Sequence, residues 1–149
     1  MARRWSVMAV VVLAWGVGLA PAVDDKDTKM DGTYTFMSVI HDGKEMPADE
    51  LKNYALMLTS TNYTLKKGDQ VLEEGTYKVD TSKTPHMLQR TATAGDNKGK
   101  TFLGICEPSG ETMKVCWGVP GGDRPTEFSS KEGSGHVLEV VKRAPKSDK

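Results

Sequence analysis

The fold is decided by one stretch of the chain, Thr101–Phe128, whose sequence is TFLGICEPSGETMKVCWGVPGGDRPTEF. Two apolar runs flank a Pro-Ser-Gly segment, and this arrangement predicts a β-hairpin. A Gly/Pro-rich turn follows the second run and leads into Arg124-Pro125-Thr126-Glu127-Phe128. The stretch predicts an all-β fold, because the same two-residue period recurs along most of the chain.

The length of the hairpin loop determines which side chains share a face, since a slip of one residue moves a whole strand to the other face. A three-residue loop, Pro108–Gly110, collects apolar residues of both strands on one face. These residues are Leu103, Ile105, Met113, Val115 and Trp117. A two-residue loop, Ser109–Gly110, leaves neither face consistently apolar, so we predict the three-residue loop.

The same register bears on the two cysteines of the chain, Cys106 and Cys116. It places them on one face but four residues apart along the ladder, which is about 13 Å at roughly 3.3 Å per residue. A disulfide tolerates roughly 4.4 to 6.8 Å between Cα atoms. We therefore predict two free thiols.

The amino terminus has the pattern of a secretory signal peptide. Arg3 and Arg4 form a basic start, Val7–Leu19 is apolar apart from two glycines, and Ala20-Pro21-Ala22 offers small residues at a cleavage site. The apolar run is shorter than the roughly 20 residues that span a bilayer. We expect cleavage near Ala22 and export to the periplasm or the extracellular space, with no membrane span in the mature form.

The predicted organisation is one domain with short extensions. Residues 1–22 are the signal peptide, 23–30 a flexible leader, 31–143 a β-barrel domain and 144–149 a tail. Removal of residues 1–22 takes away two of the 20 basic residues and none of the 20 acidic residues, which leaves a net charge of −2. A nearly neutral chain without a basic cluster is a poor candidate for binding nucleic acid or anionic membranes.

Strand-like segments follow one another at intervals of about ten residues, which is typical of an antiparallel sandwich or barrel. Besides the hairpin, the predicted strands are Asp31–His41, Tyr54–Ser60, Asn62–Lys66, Val71–Asp80, Pro85–Thr93 and His136–Arg143. One short helix is predicted over Pro47–Lys52, because a proline and two acidic residues lie at its start.

Several short motifs together give the chain a family resemblance. They are Gly32-Thr33-Tyr34, Asp42-Gly43-Lys44, Gly75-Thr76-Tyr77, Met113-Lys114-Val115-Cys116, Arg124-Pro125-Thr126-Glu127-Phe128, Gly133-Ser134-Gly135 and Lys142-Arg143. With these motifs, residues 30–143 resemble the uncharacterised planctomycete paralogous domain family. The resemblance implies an exported small domain with a lipocalin-like β-barrel, and it implies no activity.

Arg90 departs from the family pattern, which has an aliphatic residue at this position. The alternation of the strand points Arg90 inward, where an unpaired charge costs several kcal/mol. The sequence leaves three explanations open: an acidic residue pairs with Arg90, a ligand does, or the strand is shifted.

We predict a single antiparallel lipocalin-like barrel of about eight strands, with one short helix after the first strand. Eight strands leave an interior just wide enough to be filled by side chains or to hold one small ligand. The protein is therefore expected either to bind a small apolar or amphipathic ligand in the barrel or to be a solid structural or protein-interaction module. The residues predicted to line the interior are Tyr34, Phe36, Tyr63, Tyr77, Arg90, Leu103, Ile105, Met113 and Trp117.

Two polar pairs are predicted to stabilise the fold. Lipocalins stack an arginine of a late strand on an aromatic residue of the first strand, and Tyr34 with Arg143 resembles this latch. One observation speaks against it, because Arg143 shares a strand face with Glu139. Arg124 and Glu127 lie three residues apart around a proline and are predicted to pin the long loop, by pairing with each other or with neighbouring backbone.

No catalytic site, cofactor or metal is expected. His41, His86 and His136 lie in three separate segments, without the short spacing of metal ligands. The sequence contains no Gly-rich phosphate loop or nucleophile elbow. It also has no paired acid and base at a useful spacing, so we expect a protein that is not an enzyme.

Overall fold

The structure of the protein is a computed structural model, and it describes residues 30–145. The predicted signal peptide, residues 1–22, lies outside the described residues, as do residues 23–29 of the predicted leader and 146–149 of the predicted tail. Met30, the last residue of that leader, packs against the core.

The described chain is all-β with one short helix, which confirms the predicted fold class. Its elements are β1 (Gly32–His41), β2 (Lys44–Glu45), α1 (Ala48–Leu51), β3 (Tyr54–Leu58), β4 (Asn62–Lys67), β5 (Gln70–Asp80), β6 (His86–Gly95), β7 (Thr101–Ser109), β8 (Thr112–Trp117) and β9 (Val137–Arg143). From β3 to β9 each strand pairs antiparallel with the next, and β1 pairs with both β3 and β9. Eight strands therefore form a closed barrel, and the two-residue β2 is an extra strand on β1.

The antiparallel order defines two ends of the barrel. The latch end is the end at which β1 begins and at which the β3–β4, β5–β6 and β7–β8 connections lie. The loop end is the opposite one, with the β6–β7 loop, residues 96–100, and the long β8–β9 loop, residues 118–136. The long loop folds back on the outside of the barrel, where Gly118 and Gly121 donate to the carbonyls of Leu103 and Thr101.

The core fills most of the barrel, because alternate residues of each strand point inward. Its buried members come from every barrel strand except β5, whose Tyr77 and Val79 are partly buried and pack against them. The buried members are Tyr34, Leu58, Tyr63, Leu88, Phe102, Cys106, Met113, Val115, Trp117 and Val141. Burial of each large apolar side chain stabilises the fold by about 1.5–3 kcal/mol.

The hairpin register differs from both registers considered from the sequence. Ser109 pairs with Thr112, so the loop consists of two residues, Gly110 and Glu111. Gly110 has a φ of +64°, a conformation that glycine adopts without strain. A glycine at the first of two loop positions is a pattern that hairpins favour.

The new register reverses the predicted faces of β7. Gly104 pairs with Leu88 on one side and with Trp117 on the other, and both of these are core residues. Leu103 and Ile105 therefore point outward, contrary to the prediction that they line the interior. The prediction failed because β7 is covered on both faces. Ile105 is buried although it faces outward, so apolar alternation does not tell the two faces apart.

Cys106 and Cys116 are free, as predicted, but the predicted reason is wrong. Cys106 belongs to the core, whereas Cys116 pairs with the outward-facing Ile105 and donates its thiol to the Ser129 carbonyl at 3.3 Å. The two side chains point to opposite faces of the sheet and cannot form a disulfide. Burial raises the pKa of the Cys106 thiol to about 12, and it also raises the pKa of Cys116.

Candidate functional site

The barrel encloses a cavity of about 60 Å³. A site for one water needs roughly 10–15 Å³, and a 150 Å³ cavity holds benzene. The cavity therefore has room for a few waters or for a molecule of a few heavy atoms.

Six of the predicted lining residues lie at the cavity. They are Phe36, Tyr63, Tyr77, Arg90, Met113 and Trp117. Tyr34 is a core residue that does not line the cavity, and Leu103 and Ile105 lie on the outer face. The lining also contains residues that the sequence analysis did not select, namely Met30, Leu56, Leu58, Leu65, Leu88, Val115, Glu139 and Val141. The walls are thus apolar except for the tips of the tyrosines, Trp117, Arg90 and Glu139.

Arg90 has a buried acidic partner in Glu73, which is the first of the three explanations considered from the sequence. Arg90 Nη1 donates to Glu73 Oε2 at 3.2 Å, and the two side chains are 20% and 7% exposed. The same Oε2 accepts from the Tyr63 hydroxyl at 2.6 Å, and Oε1 accepts from Asn97 Nδ2 at 2.8 Å. Both oxygens of Glu73 are therefore occupied, one of them by a side chain of the β6–β7 loop.

The guanidinium of Arg90 lies among aromatic rings. Its Cζ atom is 4.3 Å from the ring centroid of Phe102, 4.8 Å from that of Trp117 and 5.5 Å from that of Tyr63. Arg90 Nε is the single buried side-chain polar atom without a hydrogen-bond partner in residues 30–145. An unsatisfied buried donor costs about 1–3 kcal/mol, and contact of the cation with ring faces offsets part of that cost.

A second carboxyl group, that of Glu139 in β9, also faces the interior. Its Oε2 accepts a hydrogen bond from Trp117 Nε1 at 3.1 Å, and the residue lines the cavity. Burial raises the pKa of Glu139, although Arg90 and the bond from Trp117 act in the opposite direction; the negative charge of Glu73 raises it further. The carboxyl group is thus held among protein atoms with one hydrogen-bond donor.

The hydroxyl groups of the two tyrosines in the cavity wall, Tyr63 and Tyr77, donate to protein acceptors. Tyr77 donates to the Thr59 carbonyl at 2.6 Å, and burial raises its pKa to about 12. Burial and the hydrogen bond to Glu73 also raise the pKa of Tyr63. Both hydroxyl groups stay protonated and engaged, so these residues offer the cavity their rings.

Tyr34 and Arg143 are in contact at the latch end. They are partners across β1 and β9, and Arg143 Nη2 donates to the Tyr34 hydroxyl at 2.9 Å while its Cζ lies 5.2 Å from the ring centroid. Arg143 Nη1 donates to the Asp31 carbonyl, and the Tyr34 hydroxyl bonds the Met30 carbonyl at 3.0 Å. The face that Arg143 shares with Glu139 therefore does not speak against the latch, because Glu139 itself points inward.

Arg124 and Glu127 do not pair with each other. Arg124 Nη1 donates to the Leu88 carbonyl at 2.5 Å and to the Gly104 carbonyl at 2.7 Å, which ties the long loop to β6 and β7. Glu127 is exposed and accepts from Ser129 Oγ at 3.1 Å. The arginine therefore holds the loop and the glutamate contributes a local surface contact.

Asp42 is a second anchor of the long loop, and the sequence analysis did not select it. Its Oδ1 accepts from the backbone N–H groups of Gly133 and Gly135 at 2.8 and 2.7 Å. These bonds, that from Gly135 first, hold the pKa of Asp42 below its usual range. They join two of the motifs that carry the family resemblance.

Within the described part of the chain, no group of three or more His, Cys, Asp or Glu side chains could hold a metal ion. In the same range, no helix has the length and the apolar character needed to cross a membrane.

The sequence did carry signals for the two interior carboxyl groups. Extending the inward alternation of Gly75, Tyr77 and Val79 by one step places Glu73 inside the barrel. Glu139 shares a face of β9 with Arg143. This does not argue against the Tyr34–Arg143 latch, because the shared face is the inward one. Comparison of the chain with protein-family models, with curated proteins and with solved structures finds no match, and the family resemblance stays a prediction.

Proposed function

We propose that the protein binds a small amphipathic molecule in the interior of its barrel. The observation that carries this proposal is the cavity of about 60 Å³ whose apolar walls meet two charged side chains, Arg90 and Glu139. Ligand sites typically combine apolar walls with a few polar groups that orient the ligand.

The energetics of the interior support a functional role for its charges. Well-packed apolar residues in place of a buried ion pair are often neutral or stabilising, by up to about 1–4 kcal/mol. A barrel selected for stability alone has no need of Arg90, Glu73 and Glu139 in its core. Buried charges beside a cavity are characteristic of sites that bind or react.

The geometry suggests how the ligand would lie. Its polar end would face Arg90 and Glu139, and its apolar part would contact Met30, Leu58 and Met113. The cavity admits a ligand of about five heavy atoms. At an upper limit of roughly 1.5 kcal/mol per heavy atom, its binding free energy cannot exceed about 7.5 kcal/mol, which is a Kd of a few micromolar at best.

Native mass spectrometry of the protein purified from its own host tests this proposal. We expect a mass above that of the chain, with the extra mass released on denaturation. A second measurement is titration with n-butylamine, 1-butanol and butyrate, monitored by NMR. The variant Leu65→Phe, which fills the cavity, should abolish binding, and the matched variant Val71→Phe at an exposed position should not. A native mass equal to that of the chain alone, together with no binding of any probe, would refute the proposal and favour a solid structural or interaction module.

The proposal also places the protein outside the cytoplasm, on the basis of the amino-terminal sequence pattern. Amino-terminal sequencing of the host-purified protein should give a start near Val23. An intact amino terminus on protein recovered from the cytoplasm would contradict export.

A further inference from the structure

We infer that the polar end of the ligand is a protonated primary amine and that Glu139 is the residue that binds it. This inference rests on the proposed function and specifies the chemistry of the same site.

The first step is the balance of charge in the interior. One guanidinium, that of Arg90, faces two carboxyl groups, those of Glu73 and Glu139. Glu73 and Arg90 form a direct ion pair. Glu139 is then the carboxyl group left over. When Arg90, Glu73 and Glu139 are all ionised, this group of side chains is one positive charge short, because the other inward arginine, Arg143, lies at the latch end and does not line the cavity. A bound cation would complete the balance.

The second step is the hydrogen bonding of Glu139. Its Oε2 accepts from Trp117 Nε1, while Oε1 accepts no hydrogen bond from residues 30–145. Oε1 is not among the fully buried atoms that lack a partner, so it retains accessible surface, and Glu139 borders the cavity. An ammonium group in the cavity can therefore donate to Oε1 without breaking the bond to Trp117.

The third step concerns the walls. The rings of Phe36, Tyr63, Tyr77 and Trp117 border the same cavity, and aromatic faces attract cations. An anion would meet the carboxyl group of Glu139. The cation of the cavity wall, Arg90, is already paired with Glu73 and stacked on Phe102 and Trp117. The surroundings thus favour an amine over an acid of the same length.

Three probes with the same four-carbon chain length test the inference. The protein from its native host is first denatured to release any bound molecule and refolded. It is then titrated at pH 7 with n-butylamine, 1-butanol and butyrate, and binding is followed by the indole N–H resonance of Trp117. We expect n-butylamine to bind at least about tenfold more tightly than either of the other two. This comparison needs no variant, so it stands even if a substitution in the interior prevents folding.

The variant Glu139→Gln removes the charge and retains an oxygen that can accept from Trp117. We expect it to weaken binding of n-butylamine at least about tenfold and to change binding of 1-butanol by less than about threefold. Glu74→Gln, at an exposed position of β5, is the matched control and should leave all three affinities unchanged. Equal affinities for amine and alcohol, or an unaltered amine affinity in Glu139→Gln, would overturn the amine inference while the proposed function stands. Failure of all three probes would overturn both.

Discussion

Removal of the interior guanidinium is the sharpest test of how the barrel tolerates charge. The variant Arg90→Met keeps a side chain of similar length and leaves Glu73 and Glu139 facing each other without a counter-charge. Removing one partner of a buried ion pair costs about 3–5 kcal/mol. We expect Arg90→Met to lose stability in that range, since the ion pair is largely buried.

The variant Glu73→Gln should be much milder. It leaves Arg90 with Glu139 as the carboxyl group nearby, and the single oxygen of a glutamine can still accept a hydrogen bond from either Tyr63 or Asn97. Its cost should approach that of weakened hydrogen bonds, about 1–2 kcal/mol. The double variant should be less destabilised than the sum of the two single variants, because the second substitution removes a carboxylate that Arg90→Met leaves unpaired.

Urea unfolding at pH 7 measures these differences. The matched control is Lys67→Met, which removes an exposed cation 5.4 Å from the ring centroid of Tyr54. Exposed contacts of this kind contribute about 0.5–1 kcal/mol. If Glu73→Gln costs as much as Arg90→Met, or if Arg90→Met costs no more than Lys67→Met, the charge-balance reasoning is wrong.

Three further predictions concern the packing, a loop anchor and the thiols. Gly104→Ala brings a methyl carbon 2.6 Å from the Trp117 ring, so we expect a loss of about 1–3 kcal/mol from overpacking in urea unfolding; an unchanged midpoint would contradict the assigned register. Asp42 has a lowered pKa in the folded state, so its contribution is present above the pKa of the unfolded chain and is lost as the pH falls through the folded pKa. The Tm difference between wild type and Asp42→Ala should therefore shrink on acidification, and a constant difference would argue against the anchor. Cys106 and Cys116 are buried, so a thiol reagent should label neither in the native protein and both after denaturation; rapid native labelling would exclude this packing.

Much of the architecture could be predicted from the sequence, because most strands follow the two-residue period. The β1 strand was predicted over Asp31–His41 and spans Gly32–His41, and the short helix was expected over Pro47–Lys52 and spans Ala48–Leu51. These segments have one covered face, so their pattern states which residues point inward. The succession of antiparallel strands fits a sandwich as well as a barrel, and the barrel was expected from the family resemblance. The pairing of β1 with β9 closes it.

The hairpin register could not be predicted in the same way. Period-two reasoning assumes that one face of a strand meets water, but β7 is buried on the inside by the core and on the outside beneath the long loop. Ile105 and Cys106 lie on opposite faces of β7, and both are buried. The apolar pattern therefore does not show which residues of the strand point inward. The decisive feature is Gly104, whose missing side chain leaves room for the Trp117 ring, and that requirement exists only in three dimensions.

In the candidate site the two-residue period does hold, and it assigns the key residues to the inward face. These residues are charged, however, whereas core residues are usually apolar. Glu73 and Glu139 lie at inward positions where apolar residues are expected. Because both are acidic, they were not among the residues predicted to line the interior. An inward Arg90 was itself the sign that an acidic residue should be sought at such positions.

The contact between Asn97 and Glu73 links the rim of the barrel to its centre. Asn97 belongs to the short connection between β6 and β7, yet its amide donates to a carboxylate inside the molecule. An insertion or deletion in this connection would withdraw that donor, and Glu73 Oε1 would lose the hydrogen bond that it accepts. Residues 96–100 are therefore not an interchangeable linker, since their length places a hydrogen-bond donor on a carboxylate that solvent scarcely reaches.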